Sequence, residues 1–200
     1  MKNVIFAIGV VLSLTVINRS TAQCCGDLPQ FSLGLSAQHM VLGIDVNELS
    51  QRETSINGQL FMAELDSRYG IVSLNLRGGI APSDIVQEGE IEISNFFSTQ
   101  GVVSLNILPW TSDFNVSIGG GIHYDGGRVN NLLTGHKATV RTMALVAQGG
   151  FDITISELFL LSADVGFGQY VNDGSIDLLD QGDVNDRKLF GSITFSYMFP

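Results

Sequence analysis

Leu189-Phe190-Gly191-Ser192-Ile193-Thr194-Phe195-Ser196-Tyr197-Met198-Phe199 changes character almost residue by residue. In an extended chain, Leu189, Gly191, Ile193, Phe195, Tyr197 and Phe199 share one face, while Ser192, Thr194, Ser196 and Met198 share the other. A period of two is the mark of a strand with one apolar side. The β-branched and aromatic content fits a strand, and no capped 3.6-residue period competes with it.

The pattern repeats toward the N-terminus. Phe159, Leu161, Ala163, Val165 and Phe167 oppose Ser162, Asp164, Gly166 and Gly168. Phe114, Val116, Ile118, Ile122 and Tyr124 oppose Asn115, Ser117, Gly119, Gly121 and His123. Val72, Leu74, Leu76 and Ile80 oppose Ser73, Asn75, Arg77 and Gly79. The spacing predicts strands over 30–45, 56–66, 70–81, 91–107, 113–124, 138–153, 158–171 and 188–199. Asp66–Tyr69, Leu108–Ser112 and Thr154–Glu157 then read as short turns. Val46–Ser55, Pro82–Glu90, Asp125–Lys137 and Asn172–Arg187 read as longer polar loops. Short turns at one end and long loops at the other suit an all-β, eight-stranded, antiparallel up-and-down transmembrane β-barrel.

A soluble barrel has the same alternation with the apolar face inward. Here the polar face is Ser, Gly, Asn, Gln and Thr, side chains suited to a narrow hydrated interior, and charged residues make up only 15% of the chain. The aromatics also sort by height. Phe31, Tyr69, Trp110, Phe114, Phe151, Phe159, Tyr197 and Phe199 fall near the short-turn end. Phe61, Phe96, Phe97, Tyr124, Tyr170 and Phe190 fall near the long-loop end. Two such levels are expected to be the interfacial girdles of a membrane barrel, chiefly Tyr69, Trp110, Phe114, Tyr124, Phe159, Tyr170, Tyr197 and Phe199.

At the N-terminus, Lys2 precedes an apolar run from Val4 to Ile17, and Ser20-Thr21-Ala22 supplies small residues for a cut before Gln23. Residues 1–22 are therefore expected to be a signal peptide, too short in its apolar run for a spanning helix, and 23–200 the barrel domain. The formal charge of −10 becomes −12 once Lys2 and Arg19 are removed. So acidic a chain is expected to repel nucleic acid. Cys24 and Cys25 are adjacent and form no zinc-ligand pattern. Lipidation of Cys24 is one alternative, although Gln23 fits a lipobox poorly.

The C-terminal segment Gly191–Phe199, alternating and ending in an aromatic, is similar to the terminal-strand signal of bacterial outer-membrane proteins. Over residues 30–199 the pattern resembles the small eight-stranded barrels, OmpA transmembrane-domain-like and OmpX-like, of the compact type common in Bacteroidota. That resemblance implies the Gram-negative cell outer membrane as the location. It implies outer-membrane lipid and lipopolysaccharide as surroundings, and the barrel assembly machinery as a partner of the last strand. Pro200 departs from the signal, since it follows the aromatic and cannot donate a ladder hydrogen bond.

No nucleophile elbow, P-loop or zincin motif is present, and neither an enzyme nor a cofactor is expected. Gly119-Gly120-Gly121 lies within a strand and reads as a bend or a close strand approach. His39, His123 and His136 lack metal-ligand spacing, and no metal site is expected. His123 reads as an interior hydrogen-bonding residue. Asp173, Asp177, Asp180, Asp183 and Asp186 read as solvated loop acids, with calcium or divalent bridging to lipopolysaccharide as the alternative. The expected interior charges are Glu64, Arg77 and Asp164. A buried charge needs a partner, and Arg77 and Asp164 lie at similar distances from their turns on opposite strands. They are expected to pair and plug the lumen, with Glu64 lower down among Ser or Gln side chains. The leading function is a structural, adhesion or interaction barrel displaying four polar, acidic loops. The alternatives are a narrow, porin-like channel or small-ligand carrier, a small component of a TraO-type conjugation or envelope machine, and a soluble periplasmic lipocalin-like carrier.

Overall fold

A computed structural model describes residues 29–45, 53–87, 91–108, 113–132, 135, 137–171 and 187–199. The expected signal peptide, Cys24, Cys25, Trp110, His136 and the acids of the last loop lie outside the described residues. Among the described residues, nine strands run in chain order: β1 (Gln30–Asp45), β2 (Glu53–Tyr69), β3 (Val72–Ile80), β4 (Ile85–Gln87), β5 (Ile91–Asn106), β6 (Phe114–Asn131), β7 (Lys137–Ser156), β8 (Phe159–Tyr170) and β9 (Arg187–Phe199). Each long strand pairs antiparallel with its chain neighbour. β1 closes onto β9 from Phe31↔Phe199 to Leu42↔Lys188, and β3 closes onto β5. Eight staves therefore form a sealed cylinder without a free edge along the wall. The ninth strand, β4, covers the outer end of β5 above the point where β3 stops.

Strands β2, β6 and β7 outrun the sequence reading, β7 reaching Ser156 through most of the expected turn Thr154–Glu157. Asp66–Tyr69 is not a turn: β2 continues to Tyr69, and Gly70-Ile71 makes the reversal into β3. Gly70 has φ 58°, the left-handed conformation that a type II′ hairpin places at its first central residue. Asp125–Lys137 is mostly not loop, because β6 and β7 stay in register from Asp125↔Thr142 to Asn130↔Lys137. Once two strands are paired, the ladder can continue beyond the apolar stretch that reveals it. The register of β5 against β6 shifts between Ser94 and Phe97, where Asn95 bulges with φ 52°. At Gly121 an added Cβ would collide with the Gly101 carbonyl oxygen, so the triple glycine is a close approach of β6 to β5.

The wall has its apolar side outward. Leu35, Ile118, Val165 and Ile193 are 75%, 62%, 69% and 62% exposed, whereas Ser98 and Thr194 are fully buried. An apolar belt of this extent is unusual on a monomer in water, and hydrocarbon is the solvent that suits it. A lipocalin-like carrier would face water with a polar outer wall, whereas here the outer wall is apolar.

Candidate functional site

The lumen is where charge and packing converge. Interior positions follow the strand parity, and at three heights the inward side chains are ionic. The middle level has the most hydrogen bonds. Arg77, on β3, donates from Nε to Glu64 Oε2 at 2.6 Å, from Nη1 to Ser192 Oγ at 2.7 Å, and from Nη2 to Asp164 Oδ2. Glu64 also accepts from Asn75 Nδ2 at 2.6 Å and from Thr194 Oγ1 at 2.8 Å. β3 and β8 stand opposite each other in the cylinder, so the guanidinium ties β2, β3, β8 and β9 together across its axis. The planar fork of Arg makes this possible, since it can meet two carboxylates and a hydroxyl at once.

The structure thus joins all three expected interior charges in one net. It differs from the sequence reading at Glu64, which lies directly opposite Arg77 in register and pairs with Arg77, Asn75 and Thr194. Glu64 is therefore not held lower down by Ser or Gln.

Sequence reasoning missed the other two levels. Toward the short turns, Arg68 donates to Asp66 Oδ2 at 2.6 Å and to Asp152 Oδ2 at 2.7 Å. Toward the loops, Lys188 is fully buried and paired with Asp125. Strand parity could have found them: Arg68 and Asp66 follow Glu64 by twos, and Asp125 follows His123. Beside that upper pair, His123 Nε2 lies 2.9 Å from Ser98 Oγ, and its ring meets Phe190 edge-on at 5.2 Å.

Apolar side chains fill the remaining outer half of the lumen, among them Met40, Leu60, Met62, Ile85, Phe96 and Phe190. Ile85 arrives on β4, which folds it against the core from above. The lumen is therefore polar toward the turns and, around the Lys188–Asp125 pair, largely apolar toward the loops.

The aromatics divide by face. Tyr69, Phe114, Phe159, Tyr197 and Phe199 are exposed on the outer wall at the short-turn end, and Phe159 packs against both Phe195 and Tyr197. At the other end Phe97 and Tyr124 form a tilted pair on the outside, ring centroids 5.9 Å apart. Tyr170 is not on the outer wall, because its parity on β8 turns it inward against the lumen core. Phe96 and Phe190, expected at the same level, are likewise inside.

Three solved barrels share this architecture. Neisserial surface protein A superposes with a TM-score of 0.58 at 11% identity, covering 84% of this chain and 95% of that one. Ail, the attachment invasion locus protein of Yersinia pestis, solved with the heparin analogue sucrose octasulfate, gives 0.55 at 9% identity, with 86% and 99% covered. OprG, an outer membrane protein from Pseudomonas aeruginosa, gives 0.52 at 15% identity, with 86% and 95% covered. The fold is that of the small outer-membrane β-barrels. No protein-family model matches the sequence, and no curated protein is found to be similar.

Proposed function

We propose that this protein is an integral, sealed barrel of the Gram-negative outer membrane, a rigid anchor that acts through the segments it displays at its long-loop end. One observation carries the reading: the wall is apolar while the lumen is blocked at successive heights, by the Arg68 pairs, the Arg77 net and the apolar plug around Phe96 and Phe190. An eight-stranded cylinder has room for side chains and little else. Function is then left to the outer surface, as adhesion, attachment or interaction, and the narrow-channel reading loses ground. In this proposal the exposed Tyr69, Phe114, Phe159, Tyr197 and Phe199 sit at the inner interface, and Phe97 with Tyr124 sits at the outer one. The exposed aromatic stripe of β9 is what the barrel assembly machinery would read.

The test joins two measurements on protein from an outer-membrane fraction. Unboiled protein should migrate differently from boiled protein on an SDS gel, because closed barrels stay folded in SDS until heated. The same preparation should give no stable unitary conductance in a planar bilayer. Discrete openings would replace the sealed anchor by a channel. An unshifted band from the soluble periplasmic fraction would overturn the membrane reading as a whole.

A further inference from the structure

The half of the lumen toward the short turns holds more acid than base. A cavity of about 20 Å³ there is lined by four carboxylates, Glu64, Asp66, Asp152 and Asp164, and by two guanidinium groups, Arg68 and Arg77. The formal balance around it is −2. None of the four acids is well placed to shed that charge into bulk water, since their side chains are only 5%, 7%, 11% and 8% exposed. Buried charge beyond what its partners neutralise is costly. Both guanidinium groups are already shared, Arg68 between Asp66 and Asp152, and Arg77 between Glu64 and Asp164. Lys188 offers no relief, because it is paired with Asp125 toward the loop end.

A separate observation points to what offsets the excess. Asn75 lines the same cavity, is 6% exposed, and its Oδ1 has no hydrogen-bond partner. The amide cannot simply be turned round. Its Nδ2 donates to Glu64 Oε1 at 2.6 Å, and exchanging the two ends would set oxygen against carboxylate. Asp66 stands directly opposite Asn75 in register, so the two inward side chains start about 4.5–5.5 Å apart at Cβ. An amide oxygen and a carboxylate side by side only accept, and they suit a cation. The cavity exceeds the roughly 10–15 Å³ that one water-sized body needs, and it is too small for an organic cation. Among the described residues no three acids converge as a metal-ligand set, which disfavours calcium and its need for six to eight oxygens. We infer that Asn75 Oδ1 and the Asp66 carboxylate form the centre of a binding site for one monovalent metal cation, Na⁺ or K⁺. The bound cation reduces the excess negative charge and ties β2 to β3 beneath the Arg77 net. The site lies inside the wall and is the same whether lipid or water surrounds it.

The folded barrel in non-ionic detergent is unfolded by heat and followed by circular dichroism. Ionic strength is fixed while N-methylglucamine chloride is replaced stepwise by NaCl or KCl. The unfolding midpoint should rise with metal concentration, as it does for any ligand that binds only the folded state. A midpoint that stays level across both series means that water alone fills the cavity, and overturns the site. A larger rise with CaCl₂ at the same ionic strength overturns the monovalent assignment. Asp66→Asn and Asn75→Leu should each lose most of the rise, whatever their own starting midpoints. Glu92→Gln, an acid that accepts from Asn130 on the outer face, should keep it. A rise retained in both lumen variants places the cation elsewhere. A second measurement needs no variant: crystals of the wild-type barrel soaked in thallium(I), a stand-in for K⁺, should give an anomalous peak beside Asn75 and Asp66. A map without a peak there overturns the site as well.

Discussion

Arg77→Met should destabilise the barrel by about 3–5 kcal/mol, the usual cost of breaking a buried ion pair from one side. The change keeps much of the side-chain volume, so the loss is electrostatic. Glu64 and Asp164 would remain, two carboxylates converging on a vacated centre with their side chains 5% and 8% exposed. Each must then be hydrated, protonated or displaced, and the wall strands that carry them must give way. The temperature at which the unboiled SDS-gel band converts to the boiled position should fall clearly below that of wild type. A second variant separates charge from packing: Arg77→Met combined with Glu64→Gln and Asp164→Asn should recover most of the loss, because no uncompensated charge remains. A single variant that converts at the wild-type temperature would show that the net contributes nothing to closure. A triple variant no better than the single would assign the cost to packing.

The sequence showed the wall more readily than the lumen, for a physical reason. Apolar residues facing lipid recur at every second position, and eight strands repeat the signal. The lumen has no single composition, so each inward residue has to be found from its parity relative to neighbours. Where the strand was recognised, as around Arg77 and Asp164, the pair across the axis was legible. Where a strand overran its apolar stretch, the inward charges were read as turn or loop: Asp66 and Arg68 beyond Leu65, and Asp125 beyond Tyr124. Lys188 fell within the expected last strand, but its inward parity with Phe190 and Ser192 was not followed. The aromatics show the converse error. Height alone put Phe190 and Tyr170 at the outer girdle, but Phe190 lies between the outward Leu189 and Gly191 and is therefore inside. Phe96 follows the same parity as Ser98 and Gln100, and the bulge at Asn95 hides it only from a reading that starts at Ile91. The filling of the outer half by Ile85 had no periodic signal, since β4 is three residues long.

Val165→Arg tests what surrounds the wall. Val165 points outward at 69% exposure, and its register partners are Gly149 on β7 and Gly191 on β9. Flanked by glycines, it gives up little packing when replaced. In water such an exposed substitution would change stability by less than about 0.5 kcal/mol. In lipid the depth decides. From Phe159 to Val165 the chain climbs about 15 Å of a band about 25 Å tall, close to the midplane, where an outward Arg costs about 2–4 kcal/mol. Gln169→Arg supplies the control. It lies on the same strand and the same face, is exposed, and stands at the outer edge of the band, where the cost is about 0–1 kcal/mol. Both variants are unfolded by guanidinium in lipid vesicles and compared with wild type by tryptophan fluorescence, with the SDS-gel shift as the record of folding. A steep difference between Val165→Arg and Gln169→Arg locates hydrocarbon against β8. Equal, small effects at both positions would mean that water surrounds the apolar wall, and the proposed membrane anchor would fall with that result.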